Sequence, residues 1–215
     1  MNPLKALFGR GDVGPRKRVR DLLGAEVGPD VLVVDGATPP AGETERSETA
    51  AATRLVLGAE PAGLPFLEDD GRRLPTREGG WRGIVLLDVV DRVLEPAFAL
   101  RTAAQALAPG GRMVLLQHVA PDDLAARGAW NALARLRDAR HTWTPTRRQV
   151  RAMAGDAGFA LDEEALWEDD IVVEGGGRPE TAALAALYVG ALHDLRLVES
   201  GRLAARRLAL VLGPR

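Results

Sequence analysis

The chain has 215 residues, 46% hydrophobic and 27% charged, and its 28 basic and 30 acidic side chains leave a formal net charge of −2. That length suits a single domain, 1–215, with a full core. The near-balanced charge argues against a nucleic-acid-binding surface, and the absence of cysteine excludes disulfides, thiolate metal sites and thiol nucleophiles. No apolar run approaches the ~20 residues of a membrane span, and the N-terminus lacks the apolar core of a signal peptide. The expected setting is the cytoplasm, with no membrane partner.

The elements follow in chain order. Leu4 to Phe8 is a short apolar stretch, followed by Gly9-Arg10-Gly11-Asp12-Val13-Gly14. Pro15 opens a helix-like stretch to Leu23, since proline is favoured in a first helical turn. Its basic cluster of Arg16, Lys17, Arg18 and Arg20 reads as a solvated helix face. Val31 to Val34 is a strand ending at Asp35, and Pro39-Pro40 blocks a helix beyond it. Glu43 to Thr53 is helix-compatible, and Arg54 to Leu57 is a short strand. Leu67 to Gly80 is a polar surface loop or lid. Ile84 to Leu87 is a buried strand, and Pro96 to Ala108 a helix with apolar residues at helical spacing.

A Pro109-Gly110-Gly111 turn then leads into the strand Val114 to Leu116. This strand is apolar on both faces, so both sides of its sheet should be covered. An open α/β sheet binds ligands outside the carboxyl ends of its strands, which directs attention to Gln117 and His118. Leu124 to Arg137 and Arg147 to Ala157 are helices, the second ended by Gly158. Phe159 to Val173 is strand material carrying acidic residues. After Gly175-Gly176-Gly177, Thr181 to Leu195 forms a long apolar helix, and Arg207 to Leu212 is the last strand. The alternation predicts a doubly wound α/β domain.

Several segments, in order, resemble the class I S-adenosylmethionine-dependent methyltransferases, and the type 11 family in particular. They are Leu64-Pro65-Phe66, Pro109-Gly110-Gly111, Arg137-Asp138-Ala139-Arg140-His141 and Ala157-Gly158-Phe159. The resemblance implies a Rossmann-like, mostly parallel seven-stranded sheet whose last strand runs antiparallel beside the fifth. It implies S-adenosylmethionine as cofactor and a small-molecule acceptor, and it is compatible with a homodimer. Gly9, Gly11 and Gly14 would form the glycine-rich loop after the first strand. Asp35 would end the second strand and receive the ribose hydroxyls, a task for a two-oxygen acceptor. Glu60 would face the adenine, and Leu87 would line the cofactor at the end of the fourth strand.

The chain departs from the family at four places on the expected cofactor edge. The usual GxGxG is GRGDVG, Arg82 follows Trp81 in place of an acid, Asp91-Arg92 replaces a histidine pair, and Gln117 replaces an acid. A second register makes Val31 to Asp35 the first strand. It leaves the 29 residues 36–64 to hold two helices and two strands. With a mean helix of ~11 residues and a mean strand of ~5, that is too little room, so the first register is preferred. In the second register no glycine loop survives, and cofactor binding is not expected.

The three histidines, His118, His141 and His193, share no metal-ligand spacing, and no metal site is expected. His193 reads as a packing or surface residue. His118, at a strand's carboxyl end, and His141, in the RDxxH segment, are the candidate catalytic residues. A neutral imidazole can remove a proton from a methyl acceptor. Asp88 and Asp91 read as surface or helix-capping residues. Three functions stay open: methyl transfer, a non-catalytic methyltransferase-like binding or scaffold protein, and a nicotinamide enzyme using Gly9 to Gly14 as a GxGxxG loop. The last lacks the Tyr-x-x-x-Lys pair, since Leu192 stands four residues after Tyr188.

Overall fold

The computed structural model describes residues 29–35, 53–56, 74, 77–93, 95–137, 141–172, 198–199 and 202–215. They form β1 (Val31–Asp35), β2 (Thr53–Val56), β3 (Trp81–Leu87), α1 (Pro96–Ala106), β4 (Leu107–Val119), α2 (Leu124–Arg137), α3 (Arg147–Asp156), β5 (Phe159–Val172), β6 (Val198–Glu199) and β7 (Arg202–Pro214). The sheet order is β2-β1-β3-β4-β7-β5, with the two-residue β6 pairing β7. The first four strands run parallel, while β7 is antiparallel to both β4 and β5. The α/β class and the antiparallel last strand beside β4 are as the sequence leads one to expect.

Alternation along the strands sends side chains to two apolar faces. Leu32, Val34, Ile84, Leu86, Met113, Leu115, Leu208 and Leu210 pack on one face with Ala99, Leu100 and Ala103 of α1 and Val150 and Ala154 of α3. Val31, Val85, Val114, Leu116, Ala209 and Val211 form the other. Both sets are buried, which explains why the strands read as unbroken apolar runs. Helix α1 starts with Pro96 at its first turn. Thr146 and Gln149 close a capping box on α3, each side chain bonding the other's backbone N–H.

The preferred register is corrected by the pairing of β1. One edge bonds β2 and the other bonds β3, with Asp35 opposite Leu87. No edge is left for a strand from Leu4 to Phe8 between β1 and β3. The chain winds outward from β1 to β2, then returns to β3 on the other side. The switch point therefore lies between β1 and β3, and Val31–Asp35 holds the first-strand position. The crowding argument against this register assumed two strands on that side. Among the described residues only β2 occupies it, so the demand on residues 36–64 falls. Leu4 to Phe8, Gly9, Gly11, Gly14 and Glu60 lie outside the described residues, as do most of Leu67 to Gly80 and the stretch Thr181 to Leu195.

The Pro-Gly-Gly segment is corrected from a turn before the strand to an irregularity within it. Leu107 pairs Trp81, and the ladder resumes at Arg112 opposite Gly83. Gly110 takes φ +75°, and a Cβ on Gly111 would meet the Trp81 carbonyl oxygen at 2.8 Å. Glycine is required where the two backbones approach this closely.

Candidate functional site

The carboxyl ends of β3 and β4 converge on the loop Asp88 to Val93. Val89, Val90 and Val93 are buried in the core, which fixes the loop from below. Strand alternation turns Gln117 toward the α1/α3 face and His118 toward the opposite one. Gln117 is fully buried, and its Oε1 accepts from Val90 N–H at 3.0 Å. That bond fixes the amide orientation, and among the described residues Nε2 has no hydrogen-bond partner.

Asp88 directly follows β3. Its N–H donates to the Leu116 carbonyl at 2.8 Å. Its φ of +48° is the one positive value outside glycine among the described residues. Aspartate tolerates this left-handed conformation better than most residues. Asp88 Oδ1 lies 3.1 Å from the His118 backbone N–H and 3.1 Å from His118 Nδ1. Asp88 Oδ2 accepts from Arg207 Nη2. In the ladder Arg207 stands directly opposite His118, so β7 delivers the guanidinium to the same place. Burial pushes the Asp88 carboxyl up. The His118 hydrogen bond and the Arg207 charge outweigh it, and the net value lies below the ordinary 3.8.

The same loop supplies a second aspartate. Asp91 Oδ2 is 3.3 Å from His141 Nδ1. On the other side of the ring, Thr144 Oγ1 is 3.2 Å from His141 Nε2. Trp130 Nε1 donates to that hydroxyl at 3.1 Å. Indole nitrogen only donates, so the hydroxyl hydrogen is left for the imidazole. A donor chain runs from Trp130 through Thr144 and His141 to Asp91. Asn131 Oδ1 accepts from Thr144 N–H and lies 3.4 Å from His141 Nε2. The Thr142 N–H and hydroxyl both donate to the Asp91 carbonyl, at 2.7 and 2.9 Å. The approach to α3 is thereby tied to the site loop.

Asp88 and Asp91 are therefore corrected from surface or capping residues to the centres of two hydrogen-bond clusters. The N-cap of α1 is Glu95, with no side-chain bond. His118 and His141 are brought to one edge through one loop, each on its own aspartate. Asp35 and Leu87 sit side by side at the ends of β1 and β3. Arg82 does not belong to this edge. It is the second residue of β3, exposed, and 3.9 Å from Asp30. Five residue steps of ~3.3 Å separate it from Leu87, so its departure from the family pattern does not touch the site. The described end of the polar loop, Arg77 to Gly80, also joins β3 at that far end, where the Arg77 guanidinium stacks over Trp81. Arg207 and the Trp130–Thr144–Asn131 support went unrecognised in the sequence, where no local pattern marks them.

Among the described residues, no three His, Cys, Asp or Glu side chains are arranged to hold a metal, and no helix is long and apolar enough to cross a membrane. A parallel sheet with its switch point at β1/β3, an antiparallel β7 beside β4, and polar residues gathered at the carboxyl edge define a class I methyltransferase fold. The chain belongs to the methyltransferase domain family, whose model matches residues 12–164. None of the curated protein sequences matches significantly. Solved structures with the same fold include a candidate methyltransferase from Bacillus halodurans C-125, at 15% identity and TM-score 0.70, covering 94% of this chain and 99% of that one. The [4+2]-cyclase SpnF is 12% identical, with TM-score 0.56 over 93% and 79% of the two chains. A phosphoethanolamine N-methyltransferase from Haemonchus contortus, in complex with phosphomonomethylethanolamine and S-adenosylhomocysteine, is 9% identical. Its TM-score is 0.56, over 98% of this chain and 56% of that one.

S-adenosylmethionine carries a ribose diol, an ammonium group and a sulfonium, so its site must be rich in acceptors. The carboxyl edge is consistent with that need. Asp35 ends β1 at the switch point, beside Leu87. Asp88 is already largely committed, its two oxygens taking three donors from His118 and Arg207.

Proposed function

We propose that this chain transfers a methyl group from S-adenosylmethionine to a small-molecule acceptor at the carboxyl edge of β1, β3 and β4. Membership of the methyltransferase domain family supports the reaction class. The observation that carries the reading is the His118–Asp88 pair at the end of β4. Bound S-adenosylmethionine supplies an electrophilic methyl carbon on a sulfonium. The protein's part is to orient the acceptor, exclude water and take up the acceptor's proton. Asp35, at the end of the first strand, and Leu87 beside it would line the cofactor cleft and offer Asp35's carboxylate to the cofactor's donors. The ribose and adenine roles of Asp35 and Glu60 assumed second- and third-strand positions, which β1 and β2 do not hold in this register. His118 would accept the proton. His141, enclosed by Asp91, Thr144 and Asn131, would shape the cleft from behind. Gly9, Gly11 and Gly14 are not carried forward, because the first-strand position belongs to Val31–Asp35. The nicotinamide reading loses its loop for the same reason.

One observation favours a second reading, a methyltransferase-like binding or scaffold protein. In the register the sheet adopts, the segment after β1 is Gly36-Ala37-Thr38-Pro39-Pro40, with a single glycine. Calorimetric titration with S-adenosylmethionine and S-adenosylhomocysteine separates the two. Saturable binding is expected, and Asp35→Ala should weaken it roughly 10- to 150-fold, the loss of a hydrogen bond to a charged group. No binding at millimolar cofactor would replace the enzyme by the scaffold.

A further inference from the structure

We propose that Asp88 is a positioning residue that fixes the tautomer of His118, so that Nε2 takes the proton from an O–H or N–H methyl acceptor. This rests on the methyl-transfer reading and adds to it the class of acceptor. An ionised carboxylate only accepts hydrogen bonds. With Asp88 Oδ1 at 3.1 Å, His118 Nδ1 must be the ring nitrogen that carries hydrogen. The lone pair then resides on Nε2. No bond to Nε2 is found among the described residues, and the ring is 23% exposed.

Arg207 holds the carboxylate from its other oxygen, and the His118 backbone N–H holds Oδ1. Three residues thus converge: Asp88 just after β3, His118 on β4 through both its backbone N–H and its ring, and Arg207 opposite it on β7. The Arg207 guanidinium faces the Asp88 carboxylate before any proton arrives. When one does, the imidazolium sits against an ionised carboxylate, which stabilises it. The left-handed φ of Asp88 is a second, independent mark, because such backbone strain collects where geometry serves a site.

The step balances. The acceptor's oxygen or nitrogen forms a bond to the methyl carbon, the carbon–sulfur bond breaks with its electron pair going to sulfur, and the acceptor's proton goes to His118 Nε2. An acceptor with no proton to lose, such as a tertiary amine or thioether, would leave this arrangement idle.

The test is the ring nitrogen spectrum of the full chain, labelled with ¹⁵N and recorded on the alkaline side of the imidazole range. The His118 signals are identified by their loss in His118→Gln. Neutral His118 in the wild type is expected as the Nδ1–H tautomer. Asp88→Asn, which keeps a residue suited to positive φ, should move it toward the Nε2–H form that free imidazole side chains favour. An Nε2–H tautomer in the wild type overturns the proposal, and so does an unchanged tautomer in Asp88→Asn. The wild-type spectrum alone decides if that variant fails to fold. Cofactor titration of the same samples is read separately. Loss of cofactor binding by the wild type would sink methyl transfer and leave the tautomer result standing, whereas a wrong tautomer with intact cofactor binding would sink the proposal alone.

Discussion

One six-residue loop, Asp88 to Val93, supplies an aspartate to each of two histidines, and the two pairs differ in what they can do. The His118 ring is 23% exposed, with one nitrogen engaged by Asp88. The His141 ring is 4% exposed, with both nitrogens engaged. The residue types are the same and the environments opposite. A histidine serves proton transfer only when one nitrogen stays reachable, and the second pair spends both on holding structure. On the proposed reading, stability and reactivity are divided between two neighbouring pairs.

Substitutions at the two rings should break along that line. His118→Gln is expected to slow methyl transfer by about 10²–10⁴-fold, the usual worth of a general base, with the denaturant midpoint little changed. His141→Ala should instead lower stability by about 3–5 kcal/mol, the cost of stranding a buried charged partner, because Asp91 is left without its imidazole. Its measure is urea unfolding. A rate loss without destabilisation at His141 would reverse the two roles.

Thr146→Ala tests the support below the second pair. Loss of the α3 cap should cost about 1 kcal/mol in the same unfolding assay, through the strap in which Ala120 N–H donates to the Pro145 carbonyl at 2.9 Å. The smallest effect concerns pH. The folded-state value of Asp88 is depressed below 3.8, chiefly through His118 and Arg207 against the opposing push of burial. Its contribution to stability is therefore fully present above about pH 4 and is lost as pH falls through the folded value. An acid unfolding series should show the wild type losing its advantage over Asp88→Asn in that range. Parallel curves would mean that the carboxylate is not preferentially ionised in the fold.

Much of the frame was legible because local signals agreed with tertiary structure. Apolar runs marked the centres of β1, β3 and β4, Pro96 marked the start of α1, and Gly158, at φ +90°, marked the end of α3. The site was legible only in part. His118 could be placed at a strand end from the pattern alone. Its partners Asp88 and Arg207 lie 30 and 119 positions from their contacts in the cluster, and only the β3–β4–β7 register brings them together. Arg82 was set on the wrong edge because a family pattern gives sequence order and not the end of the strand. The first-strand position turned on a count of residues that assumed two strands beside β1.

Hydrogen exchange with and without S-adenosylhomocysteine tests the central claim most directly. The carboxyl edge as cofactor site requires protection on binding in backbone segments 35–40, 87–93 and 117–121, with the amino ends of β3 and β4 unchanged. Protection confined to the opposite edge, around the cavity lined by Ala154, Phe159, Leu212 and Arg215, or no protection at saturating ligand, would contradict it.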